Sequence, residues 1–134
     1  MRLNNEDKRL IQEAKKIILK SRPVKLKDTG DVGSALMTHK GNIFTGVSTG
    51  FYCGIGSCAE YQATGAMISN GEKEIKTIVA VTNTGDIIPP CGKCREMMLQ
   101  ASKRNKDTEV IVSKSKKVRL RELMPYPWNG TIEK

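Results

Sequence analysis

Cys91-Gly92-Lys93-Cys94 sets two thiols three residues apart at the start of a segment that reads as a helix. At that spacing both sulfurs face one point and both feel the positive end of the helix dipole, which lowers a thiol pKa. Taken alone, the pair suits a redox dithiol or half of a zinc finger as well as one corner of a metal site. Cys58 stands 33 residues earlier, in the equivalent position at the head of another helical segment. Three cysteines with one open position make a catalytic type of zinc site, because structural zinc normally closes with four protein ligands. Glu60, two residues beyond Cys58, can take a proton from water at the open position and pass it to a substrate. Cys53 offers the competing reading: as a fourth ligand it would make the site structural and leave Glu60 without work, so a free or buried thiol is the preferred reading.

These residues must be carried by rigid elements. Asn4 or Asn5 caps a first helix in which Leu10, Ile11, Ala14, Ile17 and Ile18 recur at helical spacing up to Lys20. Val32 to Thr38 and Asn42 to Val47 read as a hairpin around His39-Lys40-Gly41, which places the only histidine on the surface. The glycine-bearing loop Gly50 to Ser57 then delivers Cys58 to the small-residue helix Ala59 to Ser69, where Ala63, Gly65 and Ala66 permit close packing. Ile75 to Thr82 is a continuous β-rich run, long enough for a buried central strand. Asn83 to Pro90 forms the second loop, and a helix follows from Cys91 through Ala101. Thr108 to Ser113 and Lys117 to Leu120 add strands, and Glu122-Leu123-Met124 a helical turn. Strands alternating with helices imply an α/β layered domain.

The length of 134 residues gives one domain, 1–134, with a modest core. Lys and Arg number 23 against 14 Asp and Glu, a net charge of +9 that would suit nucleic acid if it surrounded the site. Its distribution points elsewhere: residues 46–100 hold 4 basic and 5 acidic groups, so the excess sits at the two ends. Aromatics are only 4%, and Lys114, Lys116, Lys117, Arg119 and Arg121 read as a solvated strand edge. Met1 to Lys20 has no continuous apolar stretch and no later run would span a bilayer, so the chain is expected to be cytoplasmic, with reduced thiols and no membrane partner.

Ser57-Cys58-Ala59-Glu60 and Pro90-Cys91-Gly92-Lys93-Cys94-Arg95, together with Val32 to Leu36 and Gly41 to Gly46, resemble the cytidine deaminase family of zinc nucleoside deaminases. The resemblance runs from the first helix nearly to the C-terminus. It implies a three-layer α/β fold with a mixed five-stranded sheet flanked by helices, and one Zn²⁺ per chain on Cys58, Cys91 and Cys94. The implied reaction is hydrolytic deamination of a cytosine nucleoside or analogue, with Glu60 moving the protons and the Ala59 N–H holding the ring carbonyl. The family often has Arg directly after the catalytic Glu, where this chain has Tyr61, so Arg95 is the candidate charge-compensating group. Tyr126-Pro127-Trp128-Asn129-Gly130 and Ile43 to Ser48 are most similar to the blasticidin S deaminase branch.

The Asn-x-Glu pair with which the family grips ribose is missing around Val47 to Thr49, where Ser48 stands in place of the Asn. Ser48, Phe51, Tyr52, Tyr126 and Trp128 are therefore the candidate substrate contacts, and blasticidin S is expected to be accepted at least as well as cytidine. A homotetramer is implied by the family. Two other readings stand beside this one: a deaminase acting on a base in RNA or DNA, which the neutral middle disfavours, and a non-catalytic structural zinc protein.

Overall fold

The computed structural model describes residues 1–128, so Asn129 and Gly130 of the C-terminal resemblance lie outside the described residues. Helix α1 spans Asn5–Ser21, followed by strands β1 (Val32–Thr38) and β2 (Ile43–Val47), helix α2 (Ala59–Ser69) and strand β3 (Ile75–Thr82). Then come β4 (Ile87–Ile88), α3 (Gly92–Ala101), β5 (Glu109–Ile111) and β6 (Lys117–Arg119). No helix among the described residues is long and apolar enough to cross a membrane.

The strands form one mixed sheet in the order β2-β1-β3-β5-β6. β1 is antiparallel to both neighbours, with Gly33 opposite Val47 on one side and Val81 on the other. β3 and β5 run parallel through Thr77–Glu109 and Ile78–Val110, and β5 and β6 are antiparallel. These five are the expected strands. The sixth, β4, is a two-residue ribbon pairing Ile88 with Ala80 and Ile87 with Val81, so it occupies the stretch of the β3 edge that β5 leaves free. Two residues among prolines give no periodicity, which is why the sequence reads there as loop.

Alternation along the central strands sorts the core into two layers. Ala35, Met37, Val79 and Val81 face α1, meeting Leu10, Ile11, Ala14 and Ile18. Leu36, Ile78 and Val110 face the opposite side, where Ala63 and Met67 of α2 and Met98 and Leu99 of α3 complete the packing. The result is the three-layer arrangement, with both cysteine-bearing helices on one face of the sheet.

Two glycines let the helices seat closely. A Cβ at Gly33 would stand 2.3 Å from the Ala14 carbonyl oxygen of α1, and one at Gly46 would stand 2.6 Å from the Ala63 nitrogen of α2. The close approach of α2 is thus made by Gly46 against Ala63. Gly65, expected to contribute, is exposed with open space above it.

The N-terminus of α1 carries a reciprocal capping box between Asn4 and Asp7. Asp7 has a second partner: Lys117 Nζ lies 2.8 Å from its Oδ2 and 2.8 Å from Glu109 Oε2. Lys117 is only 4% exposed, which corrects its reading as part of a solvated edge. The Lys117 N–H also donates to the Met1 carbonyl at 2.9 Å, so chain preceding α1 covers β6 at that point. A charge run in sequence carries no mark of the one member that turns inward. Another such residue is Asn105, fully buried, whose side chain accepts from the Ile75 N–H and donates to the carbonyls of Lys73 and Met98. It ties the end of α3 to the start of β3.

Candidate active site

Two loop-to-helix junctions deliver the cysteines. Cys58 is the N-cap of α2 and Cys91 the N-cap of α3, both with extended backbone and neither with its side chain engaged in capping. The loop before Cys58 is pinched at its neck by paired backbone hydrogen bonds of 2.9 Å between Thr49 and Ser57. Cys91 follows β4, whose return along β3 is closed by Thr82 N–H donating to the Asp86 carbonyl at 2.8 Å. Arg95 steadies the same junction, its Nε donating to the Pro90 carbonyl at 2.9 Å and Nη1 to the Leu123 carbonyl at 3.3 Å.

The Cys58 and Cys91 sulfurs are 3.5 Å apart, those of Cys91 and Cys94 3.6 Å, and all three lie within 4.8 Å of one another. Sulfurs at the corners of a zinc tetrahedron with ~2.3 Å bonds stand about 3.8 Å apart, close to the two shorter separations, so the trio converges as one such ion would require. Cys53 is exposed and outside this group, in a left-handed conformation with φ of 62°. Three converging thiols, not four, is the arrangement among the described residues.

The electrostatics of the trio are uneven. Burial raises the pKa of Cys58, reinforced by its neighbours Cys91 and Glu60, and burial with the Glu60 charge also raises Cys94. Burial pushes Cys91 up as well, but the neighbouring thiols and the backbone N–H groups at the start of α3 favour its ionised form by more, so its pKa falls. Of the three thiols, Cys91 alone has a lowered pKa.

Glu60 occupies the first turn of α2, where the residue is 5% exposed. It borders a narrow crevice lined by Ile78, Ala80, Ile88 and Pro90, too tight for a water molecule. Burial raises its pKa, opposed by a hydrogen bond from its own N–H. A carboxyl so placed holds a proton more readily than a solvated one, as a group that must both accept and return protons requires.

The remaining candidates divide. Ala59 is buried at the first position of α2, where the backbone N–H has no intrahelical partner. Ser48 is tied to β1, its Oγ accepting from the Val32 N–H at 3.0 Å. Phe51 and Tyr52 line a recess with Leu26, Lys27 and Asp28 that includes none of the three cysteines. Tyr126 and Trp128 are 92% and 82% exposed, and the Trp128 N–H donates to Glu96 of α3 at 3.3 Å. The sequence reading missed a contact between the two junctions: Lys93 Nζ lies 4.6 Å over the Tyr61 ring. The two residues are 32 positions apart, and although Lys93 lies inside the Cys-x-x-Cys motif nothing there points to Tyr61, so only the folded chain displays the contact.

Comparison with known proteins agrees with this geometry. Residues 4–112 match the family described as the cytidine and deoxycytidylate deaminase zinc-binding region. The chain is 38% identical over 76 residues to blasticidin-S deaminase of Bacillus cereus, an alignment covering 50% of this chain and 54% of that protein. It is likewise 38% identical over 85 residues to a probable cytidine deaminase of Dictyostelium discoideum, covering 62% and 55%. The matched stretches thus span about half the length of these curated relatives. Cytidine deaminase from Mycobacterium tuberculosis superposes with a TM-score of 0.78 at 22% identity, over 93% of this chain and 98% of that one. Cytidine deaminase from Burkholderia pseudomallei gives 0.73 at 25% identity, over 94% and 100%. With a buried glutamate beside three converging thiols and a family match across most of its length, the chain belongs to the cytidine and deoxycytidylate deaminase zinc-binding family.

Proposed function

We propose that this chain is a hydrolytic deaminase of a free cytosine nucleoside or nucleoside analogue, working with one Zn²⁺ held by Cys58, Cys91 and Cys94. The observation that carries the reading is the burial of Glu60 in the same helical turn that follows Cys58, where a structural zinc site would have no use for a carboxylate. The ion, when bound, supplies a Lewis acid that makes water a nucleophile near neutral pH.

The chain's own groups do the rest. Glu60 accepts one proton from the attacking water and places it on the ring nitrogen. It then carries the second water proton to the exocyclic amine, so that the C–N bond breaks and ammonia departs as the ring carbon gains its oxygen. The Ala59 N–H holds the ring carbonyl, and Arg95 fixes the loop that presents Cys91. Arg95 is also a candidate to offset the excess negative charge of three thiolates.

Blasticidin S or a similar analogue is accepted at least as well as cytidine on this reading. Its support is the similarity to a protein named blasticidin-S deaminase and the engagement of Ser48 Oγ with β1, which leaves no ribose-gripping pair around Val47 to Thr49. Phe51, Tyr52, Tyr126 and Trp128 supply flat surfaces for stacking, and neighbouring subunits of a homotetramer would gather them around a site left open in one chain. Ammonia release from purified protein tests the reading directly, using cytidine, deoxycytidine, blasticidin S, and single-stranded DNA and RNA. Turnover of the free nucleosides or blasticidin S supports it. Turnover confined to polynucleotides, or none despite bound zinc, contradicts it.

A further inference from the structure

Lys93 stands between Cys91 and Cys94 in the first turn of α3, and Tyr61 follows Glu60 in the first turn of α2. The 4.6 Å contact of the Lys93 ammonium with the Tyr61 ring therefore spans the two helix ends that carry the ligands. Deeper along the helices, Met67 and Met98 share the core, but at the ligand end no ion pair joins α2 to α3 among the described residues. Lys93 has no carboxylate partner there either. One residue thus sits between two of the candidate ligands on its own helix and reaches the opposite helix through its side chain.

Charge gives the contact a second consequence. Three thiolates around a divalent ion leave an excess of one negative charge, which a nearby cation offsets. The Arg95 guanidinium is committed to the carbonyls of Pro90 and Leu123, whereas the Lys93 ammonium has only the face of an aromatic ring to hold it.

We propose that Lys93 and Tyr61 form a clamp across the metal centre that slows loss of the ion: the ring holds the ammonium at the ligand end of the two helices, and the pair ties the first turn of α3 to that of α2. Both are positioning residues. The inference rests on the metal-site reading and is independent of which substrate is turned over, because its readout is metal release.

Zinc-loaded wild type and variants are mixed with an excess of a chromogenic chelator, and the rate of zinc release is followed while the metal-free proteins are melted in parallel. Tyr61→Leu and Lys93→Met are each expected to release zinc about two- to fivefold faster, the size of an exposed cation–π contact. Tyr61→Phe, which keeps the ring, is expected to match wild type, and the Tyr61→Leu/Lys93→Met double variant to be no faster than either single one. Unchanged rates, Tyr61→Phe as fast as Tyr61→Leu, or single effects that multiply in the double variant overturn the clamp. So does a metal-free melting point that falls in step with the rate, which would make the contact an ordinary part of the fold. Wild-type protein that holds no zinc overturns the metal reading beneath it.

Discussion

Cys58 and Cys91 are 33 residues apart in the chain, yet their sulfurs approach to 3.5 Å because each caps a helix on the same face of the sheet. The approach depends on where the two helices start, which in turn depends on Gly46 admitting α2 and on β4 returning the chain to Cys91.

Removing a ligand should release the metal and loosen both junctions. Cys94→Ala, at a fully buried position, is expected to lower zinc from one per chain to near zero and to reduce the thermal midpoint. Elemental analysis and a melting curve check this, and EDTA-treated wild type should melt like the variant.

Breaking the buried ion group should be costly. Lys117→Met leaves Asp7, 2% exposed, without its cation, and a loss of about 3–5 kcal/mol is expected by urea denaturation. Burial lowers the Lys117 pKa, but its bonds to Asp7 and Glu109 raise it by more, so the folded value lies above the ordinary lysine value. Its stabilisation is accordingly complete at neutral pH and fades as pH climbs from the ordinary lysine value through the raised one. The gap in stability between wild type and Lys117→Met should narrow over that alkaline window and stay constant below it.

Asn105→Ala should strand the Ile75 N–H and two carbonyls that the side chain now satisfies. A loss on the order of 1–3 kcal/mol per group left unpaired is expected, read by the same denaturation.

Much of this was legible in the chain. The helix at Ala59–Ser69 and the strands at Val32–Thr38 and Ile75–Thr82 have the bounds read from their periodicity, because small-residue helices and continuous β-branched runs are locally decided. The approach of Cys91 to Cys94 was legible through spacing, since two thiols at i and i+3 on a helix start can hardly avoid one another, whereas the approach of Cys58 needs the fold. What stayed hidden depends on partners remote in sequence. Lys117 looks like its basic neighbours, and Asn105 like any polar loop residue, until Asp7 and Ile75 are brought to them. Lys93 and Tyr61 meet only because the two helices lie side by side.

Substrate choice should respond to the exposed C-terminal aromatics. Trp128→Ala is expected to lower kcat/KM for blasticidin S by about two- to tenfold, the size of a lost stacking contact, and to leave cytidine less affected. Parallel steady-state assays on the two compounds decide it, with equal losses on both speaking against a stacking role.

The most direct measurement is turnover by Glu60→Gln, paired with its zinc content. The amide keeps the shape of the carboxyl in its buried turn and removes only its capacity to move protons. Zinc at one per chain, an unchanged melting point and a rate lowered by about 10²–10⁴-fold or more on whichever nucleoside wild type accepts are the expected results. A Glu60→Gln protein that binds zinc and releases ammonia within a few-fold of the wild-type rate would contradict the account.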